Sequence, residues 1–176
     1  MCEIVSQREV IPVAYPVLNP AVPDEVWQRV EKYISWRWSP REVFWIVRGP
    51  GEFVPSLAPA TITKVEIWTT DGWQEMENSP TPSPLGRFYL LNCQYRFSAT
   101  VGNDVTVPAI VAQACQRLAA YFAQKQGAAG MRMERLRAGS IEIQRMRDPN
   151  WSAQSMQNSG AADLLRSYRS VYNGIA

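Results

Sequence analysis

The sequence predicts an α+β fold. A small helical body carries an inserted antiparallel β-sheet region, a long helix follows the sheet, and an extended C-terminal tail ends in a helix. Three observations predict it. Cys93, Tyr95, Phe97, Ala99 and Val101 alternate with Gln94, Arg96, Ser98 and Thr100, the period of a strand with one wet face. Ile110, Val111, Ala114, Cys115, Leu118, Ala119 and Phe122 recur at helical spacing after Pro108. Prolines gather ahead of these segments, at Pro12–Pro23 and Pro80–Pro84, where they punctuate rather than interrupt.

Residues 1–23 hold Pro12, Pro16, Pro20 and Pro23 among Val, Ile and Tyr, a density that forbids a helix and disfavours a central strand. They are expected to form an extended arm lying on a surface through Val10, Ile11, Val13, Tyr15, Val17 and Leu18. The body, residues 24–130, opens with Asp24-Glu25, acids suited to a helix N-terminus, followed by Val26, Trp27, Val30, Tyr33 and Ile34 on one face. Ser39-Pro40-Arg41-Glu42 has the form of a capping box before a helix, yet Val43-Phe44-Trp45-Ile46-Val47 is β-branched and aromatic and reads as a strand. Local rules leave that conflict open. Lys64–Ile67 alternate, Thr70-Asp71-Gly72-Trp73 supplies a hairpin turn, and the strand over 93–101 ends at Gly102-Asn103-Asp104. The long helix begins at Pro108 and stops before Gly127 and Gly130.

The tail, residues 131–176, is polar and basic until about 159, with Arg132, Arg135, Arg137, Arg145 and Arg147 and no sustained period. A last helix is predicted from Ser159-Gly160, with Ala161, Leu164, Leu165, Tyr168, Val171 and Tyr172 on its apolar side. That side must be covered, either by the chain itself or by a partner. Docking predicts that 158–173 is loosely packed in the free subunit and becomes helical on its partner.

Composition restricts the function classes. The chain has 176 residues, 46% hydrophobic and 19% charged, enough to bury roughly 70% of its unfolded surface without disulfide or metal. Its apolar runs fall far short of the ~20 residues of a membrane helix, and Met1-Cys2-Glu3-Ile4 is no signal start, so cytoplasmic synthesis and no membrane partner are expected. Cys2, Cys93 and Cys115 lack metal or disulfide spacing, and Cys115 reads as a small core hydrophobe. There is no histidine, the usual proton shuttle near neutrality. Acids are scattered, and no nucleotide or nucleophile motif occurs. The expectation is a protein that is not an enzyme and needs no cofactor or metal. Residues 1–104 carry a net charge of −3 and residues 105–176 a net of +5, so the basic third suits an acidic or polyanionic partner, or is simply a solvated face.

Several segments taken in order carry a resemblance: Val26 to Ile34 leading into Val43–Val47; Pro59-Ala60-Thr61-Ile62-Thr63-Lys64-Val65-Glu66-Ile67-Trp68 with its Asp-Gly hairpin; Val107-Pro108-Ala109-Ile110-Val111-Ala112-Gln113-Ala114 through Phe122; Gly139-Ser140-Ile141-Glu142; and Ala161-Ala162-Asp163-Leu164-Leu165-Arg166-Ser167-Tyr168-Arg169. Over about residues 24–172 the chain resembles the adaptor proteins of tailed bacteriophages, the head-tail connector family also found in gene transfer agents. It departs from that pattern in its proline-rich arm, which stands where the family has a further helix, and in the spacer containing Trp151.

The resemblance implies a virion neck protein made in the host cytoplasm. It would form a homo-oligomeric ring, an expected dodecamer, beneath the portal protein ring. The body helices would surround a channel for passing double-stranded DNA, contacted without sequence specificity, and a tail-terminator or neck protein would follow downstream. Leu164, Leu165, Tyr168, Arg169 and Tyr172 would dock on the portal, and Arg132, Arg135, Arg137, Arg145 and Arg147 would face portal carboxylates or DNA. The alternatives are another neck or tail-completion protein and, from the basic third, a nucleic-acid-binding regulator, although no recognition-helix or base-stacking motif is visible.

Overall fold

A computed structural model describes residues 2–103, 105–123, 133–138, 141–146 and 154–169. The chain divides into two compact units. One comprises Met1–Pro16, Glu31–Val107 and Tyr168–Ala176, the other Val17–Val30 and Pro108–Ser167. These units cut across the sequential order of arm, body and tail.

The first unit is built on strands, and the α+β class holds. Strands β1 (Glu3–Glu9), β2 (Arg41–Arg48), β4 (Ala60–Thr69), β5 (Gly72–Glu75) and β7 (Gln94–Val101) form one antiparallel sheet in the order β1-β2-β7-β4-β5, while β3 (Gly51–Phe53) and β6 (Phe88–Leu90) form a separate ribbon. The anticipated strand over 93–101 is β7, the centre of the sheet. Its Tyr95, Phe97, Ala99 and Val101 face the core, with Trp45 and Val65 registered on either side of Phe97. The β3–β6 ribbon covers that face: the Phe53 ring lies 4.5 Å and the Phe88 ring 5.3 Å from Phe97. Phe53, Phe97 and Trp45 are fully buried, so aromatic packing between ribbon and sheet is the main apolar contribution of this unit.

Residues 43–47 are strand as read from their residue types, and the capping-box signal at Ser39–Glu42 opens no helix. Val43, Trp45 and Val47 all point inward at a period of two, whereas a helix would turn Trp45 away from Val43 and Val47. Gly102 shows why the sheet ends where expected. Its φ is +84°, and a Cβ there would meet the Ser39 carbonyl oxygen at 2.5 Å. The first residues of the arm are likewise more structured than the proline count implied. They form β1, an edge strand with a bulge between Ile4 and Ser6, placed before the first proline.

A buried charge cluster locks β1 onto β2. Arg41 reaches both oxygens of Glu31 at 2.7 and 2.8 Å and Glu9 at 3.0 Å. Arg37 grips Glu9 at 2.6 and 3.0 Å and donates to the Glu31 and Ile34 carbonyls at 2.7 and 3.0 Å. The Tyr15 ring lies 5.6 Å from the Arg41 guanidinium, extending the anchorage into the arm. Burial works against the Glu9 charge, but Arg37 and Arg41 outweigh it and hold its carboxyl below the usual range. Glu31 is more deeply covered, and there burial pushes the carboxyl up against the pull of Arg41.

The second unit is mostly helical. Helix α1 (Asp24–Tyr33) contributes its residues 24–30, with Val26, Trp27 and Val30 buried, and its N-terminal acids sit where predicted. Helix α2 (Ala109–Ala123) starts on the Pro108 carbonyl, which accepts from Val111 and Ala112 at 2.9 and 3.0 Å. It buries Val111, Ala114, Cys115 and Leu118, whereas Ile110 is exposed and leaves the stripe predicted for it. Residues 133–138 and 141–146, where no sustained period was visible, form two antiparallel paired strands, β8 (Met133–Ala138) and β9 (Ile141–Met146). Short helices α3 (Ser155–Asn158) and α4 (Ala161–Leu164) follow.

Two stability outcomes follow from these cores. Leu118→Ala is expected to cost roughly 2–5 kcal/mol, measured by denaturant unfolding, and an unchanged midpoint would mean that the α2 face is misassigned. Arg41→Ala strands the Glu31 carboxylate in a covered site and is expected to cost about 3–5 kcal/mol in the same assay.

Candidate assembly surfaces

The terminal segment is the first surface that the sequence singled out. Gly160, at φ +71°, breaks it between α3 and α4, and a side chain there would crowd Arg117 Nη1 at 3.3 Å. Leu165 leaves helical geometry at φ −92°, ψ 4°, and a 3-10 turn over Arg166–Tyr168 follows. The helix predicted to open at Ser159-Gly160 is therefore, over residues 159–169, the single turn of α4 and a 3-10 turn, with the one-turn α3 before it. The segment is pinned to its own unit: Arg29 Nη1 donates to Ser155 Oγ at 2.9 Å, and Asn158 Nδ2 donates to the Tyr121 hydroxyl at 3.2 Å. Ala161 and Leu165 are both 0% exposed. The expectation of a loosely packed tail over 158–173 is corrected for 158–169, because the chain itself covers the side chain that most needs covering.

The remaining tail residues divide. Leu164 is half-buried. Tyr168, in the sheet unit, packs its ring 5.7 Å from Trp38 and 6.4 Å from Trp36, and its carbonyl accepts from Ser35 N–H at 3.3 Å. Arg169 is exposed, its guanidinium 4.9 Å from the Tyr33 ring centre. Tyr172, Arg132 and Arg147 lie outside the described residues. Arg135 and Arg137 fall in β8 and Arg145 in β9, with Arg137 registered opposite Glu142 and Arg145 opposite Glu134.

Two further surfaces, both in the sheet unit, were not recognised in the sequence. On the outer face of the sheet, Trp68 and Trp73 are cross-strand partners with ring centres 5.2 Å apart, and Arg96 lies 4.9 Å from the Trp73 ring. Arg96 forks onto the Glu66 carboxylate, and Lys64 bridges Glu66 and Glu75 at 3.2 Å each. The Arg96 hydrogen bonds hold Glu66 below the usual carboxylate range despite its burial, with Lys64 adding to the effect. The alternation of Glu66 and Trp68 across the Asp71-Gly72 turn from Trp73 was the available signal.

The other surface is a groove of about 510 Å³ lined by Ala60–Val65 of β4, by Pro80 and Pro82 from the facing loop, and by Phe88. It exists because β5 pairs only with Glu66–Thr69, so among the described residues no strand lies beside Ala60–Lys64 on that side. No local pattern encodes this shortfall, which depends on where β5 stops. Among the described residues, no group of three or more His, Cys, Asp or Glu is placed to hold a metal, and no helix is long and apolar enough to cross a membrane.

No family model matches the sequence, and no curated protein matches it. Among solved structures, a chain from the virion of a native gene transfer agent particle shares the fold, with a TM-score of 0.53 and 18% identity, over 84% of this chain and 74% of that chain. At that identity the similarity shows the fold.

Leu165→Asp, which would bury an unpaired charge, is expected to unfold the helical unit and be lost from the soluble fraction. A soluble variant with an unchanged circular dichroism melt would return Leu165 to the list of docking residues.

Proposed function

We propose that the chain is a structural subunit of a phage-like virion. Within it, we assign the head-tail adaptor, a ring under the portal that extends the DNA channel and joins head to tail. The observation that carries this reading is the fold shared over 84% of the chain with a component of a gene transfer agent virion. The ordered sequence segments resemble connectors of the same kind of particle, which supports it independently. We take the chain to act through surfaces and not as an enzyme, in line with its lack of histidine and its scattered acids.

In this reading portal docking falls to Leu164, Tyr168, Arg169 and Tyr172, because Leu165 is already used inside its own unit. A contact so small is weak singly. Repeated around a ring it gains strength through effective concentration. Arg169 suits an acidic partner surface, where a charge sets orientation more than affinity. The burial of Leu165 also favours a second reading, a tail-completion subunit without a portal-docking tail.

Electron microscopy of intact particles separates the outcomes. The adaptor reading expects density for this chain directly against the portal, and filled heads without tails when the chain is absent. Density only at the far end of the neck would select the tail-completion subunit. Tailed particles of normal form made without the chain would sink both.

A further inference from the structure

Two features of the sheet unit are complementary in shape and chemistry. The first is the arm that follows β1. Val10 N–H donates to the Glu42 carbonyl at 2.9 Å, Pro12 is buried, and Tyr15 lies against Arg41, so the backbone is held at three points. Between these points the side chains face outward: Ile11 is 76% exposed and Val13 is 106% exposed. Apolar groups fixed in solvent by a rigid backbone form a knob, at little entropic cost for whatever covers them.

The second feature is the groove beside β4, concave where the arm is convex. Its walls are Ala60, Ile62, Pro80, Pro82 and Phe88, and its floor includes the strand edge that β5 leaves uncovered. Lys64, the charged residue in its wall, is held by Glu66 and Glu75. The arm cannot fill its own groove, since Ile11 and Val13 stand in solvent in the same molecule. Knob and groove belong to opposite sides of the strand order: the arm continues from β1 at one edge, and the groove borders β4, roughly 14 Å away across three strand spacings.

We propose that Ile11 and Val13 of one copy seat in the groove between β4 and the Pro80–Pro82 loop of the next copy. The occupant is a second copy because each chain carries both halves on separate surfaces. Such a contact is heterologous, and it repeats from copy to copy until rotation closes it into a ring. Charge agrees with the pairing. Exposed Arg8 flanks the knob, while exposed Glu75, 3.2 Å from Lys64 of the groove wall, flanks the groove, and opposite charges at a rim fix register. The inference rests on the reading of the chain as an assembly subunit and names the contact by which it assembles.

The test uses the full chain and two variants changed only at exposed positions. Ile11→Asp with Val13→Asp blocks the knob, and Thr61→Arg with Pro82→Arg blocks the groove. Both should melt like the wild type. In sedimentation velocity the wild type is expected to self-associate in a concentration-dependent way, and each variant alone to lose that association by more than about tenfold. Mixed together, the two variants should form a one-to-one pair that grows no further, because only one intact knob and one intact groove remain. A wild type that stays monomeric at its highest soluble concentration overturns the proposal. So do variants that associate normally, or a mixture that stays monomeric, as a symmetric contact would give. Incorporation into particles is scored separately. A chain found at the neck whose knob variant still self-associates rejects this contact and leaves the adaptor reading standing. A pairing that behaves as expected in a chain absent from particles does the reverse.

Discussion

The arrangement of the sheet unit depends on one cluster of four charges. Glu9, Glu31, Arg37 and Arg41 come from the end of β1, the end of α1, the connection after it and the first residue of β2. The cluster is neutral as a whole, and the Arg41 and Glu31 side chains are each only 4% exposed. Burying such groups gains little net stability over an apolar substitute, because desolvation cancels most of the attraction. What it gains is definition. An apolar substitute would tolerate several registers of β1 on β2, whereas a bidentate guanidinium accepts one. Everything displayed further along the arm, from Val10 to Tyr15, inherits its position from that constraint.

The same constraint accounts for an edge strand that would otherwise invite misassembly. β1 is seven residues long and exposed along nearly its whole length, with Ile4 and Val5 partly in solvent. Long exposed edges pair indiscriminately. Here a bulge between Ile4 and Ser6 disrupts the outward ladder, and Arg8 and Glu3 add charge along it. On the opposite side of the sheet, short β5 and its Glu66–Arg96–Lys64 network protect the upper half of β4 and leave its lower half open. The unit thus limits nonspecific pairing at both edges while retaining one shaped surface at each.

What was legible in the sequence follows from how local each signal is. The β7 strand, the α2 helix, the Asp71-Gly72 turn and the acidic start of α1 are set within a few residues, and each lies where its periodicity or turn chemistry put it. The capping box at Ser39–Glu42 failed because the roles of Arg41 and Glu42 are tertiary: Arg41 serves Glu31 and Glu9, not a helix terminus. The β8–β9 pairing was missed because arginine on both strands hid the alternation of Ile141 and Ile143 with Glu142 and Gln144. Leu165 was read as available because its stripe, starting at Ala161, lies beyond a long polar spacer in sequence. In space Gly160 turns the chain, and Leu165 goes into its own core. Surface features such as the groove were invisible, since they arise from what does not pair.

The charge asymmetry takes on a different meaning once partners are known. In the sheet unit Arg37, Arg41, Arg87 and Arg96 are each matched to a glutamate, so these four arginines of the acidic half serve as internal fastenings. Arg166 and Arg169 near the end of the described chain are exposed instead. An arginine committed to a buried carboxylate cannot also greet a partner without unmaking the fold, whereas a solvated one exchanges water for a partner at small cost. The division therefore separates charges that shape the fold from charges left in solvent. A chain of net charge +2 thus leaves Arg166 and Arg169 in solvent while four arginines of the sheet unit are held by glutamates. For the DNA conduit proposed above that balance matters, since phosphate contacts that are too many or too tight would hold a duplex that has to pass.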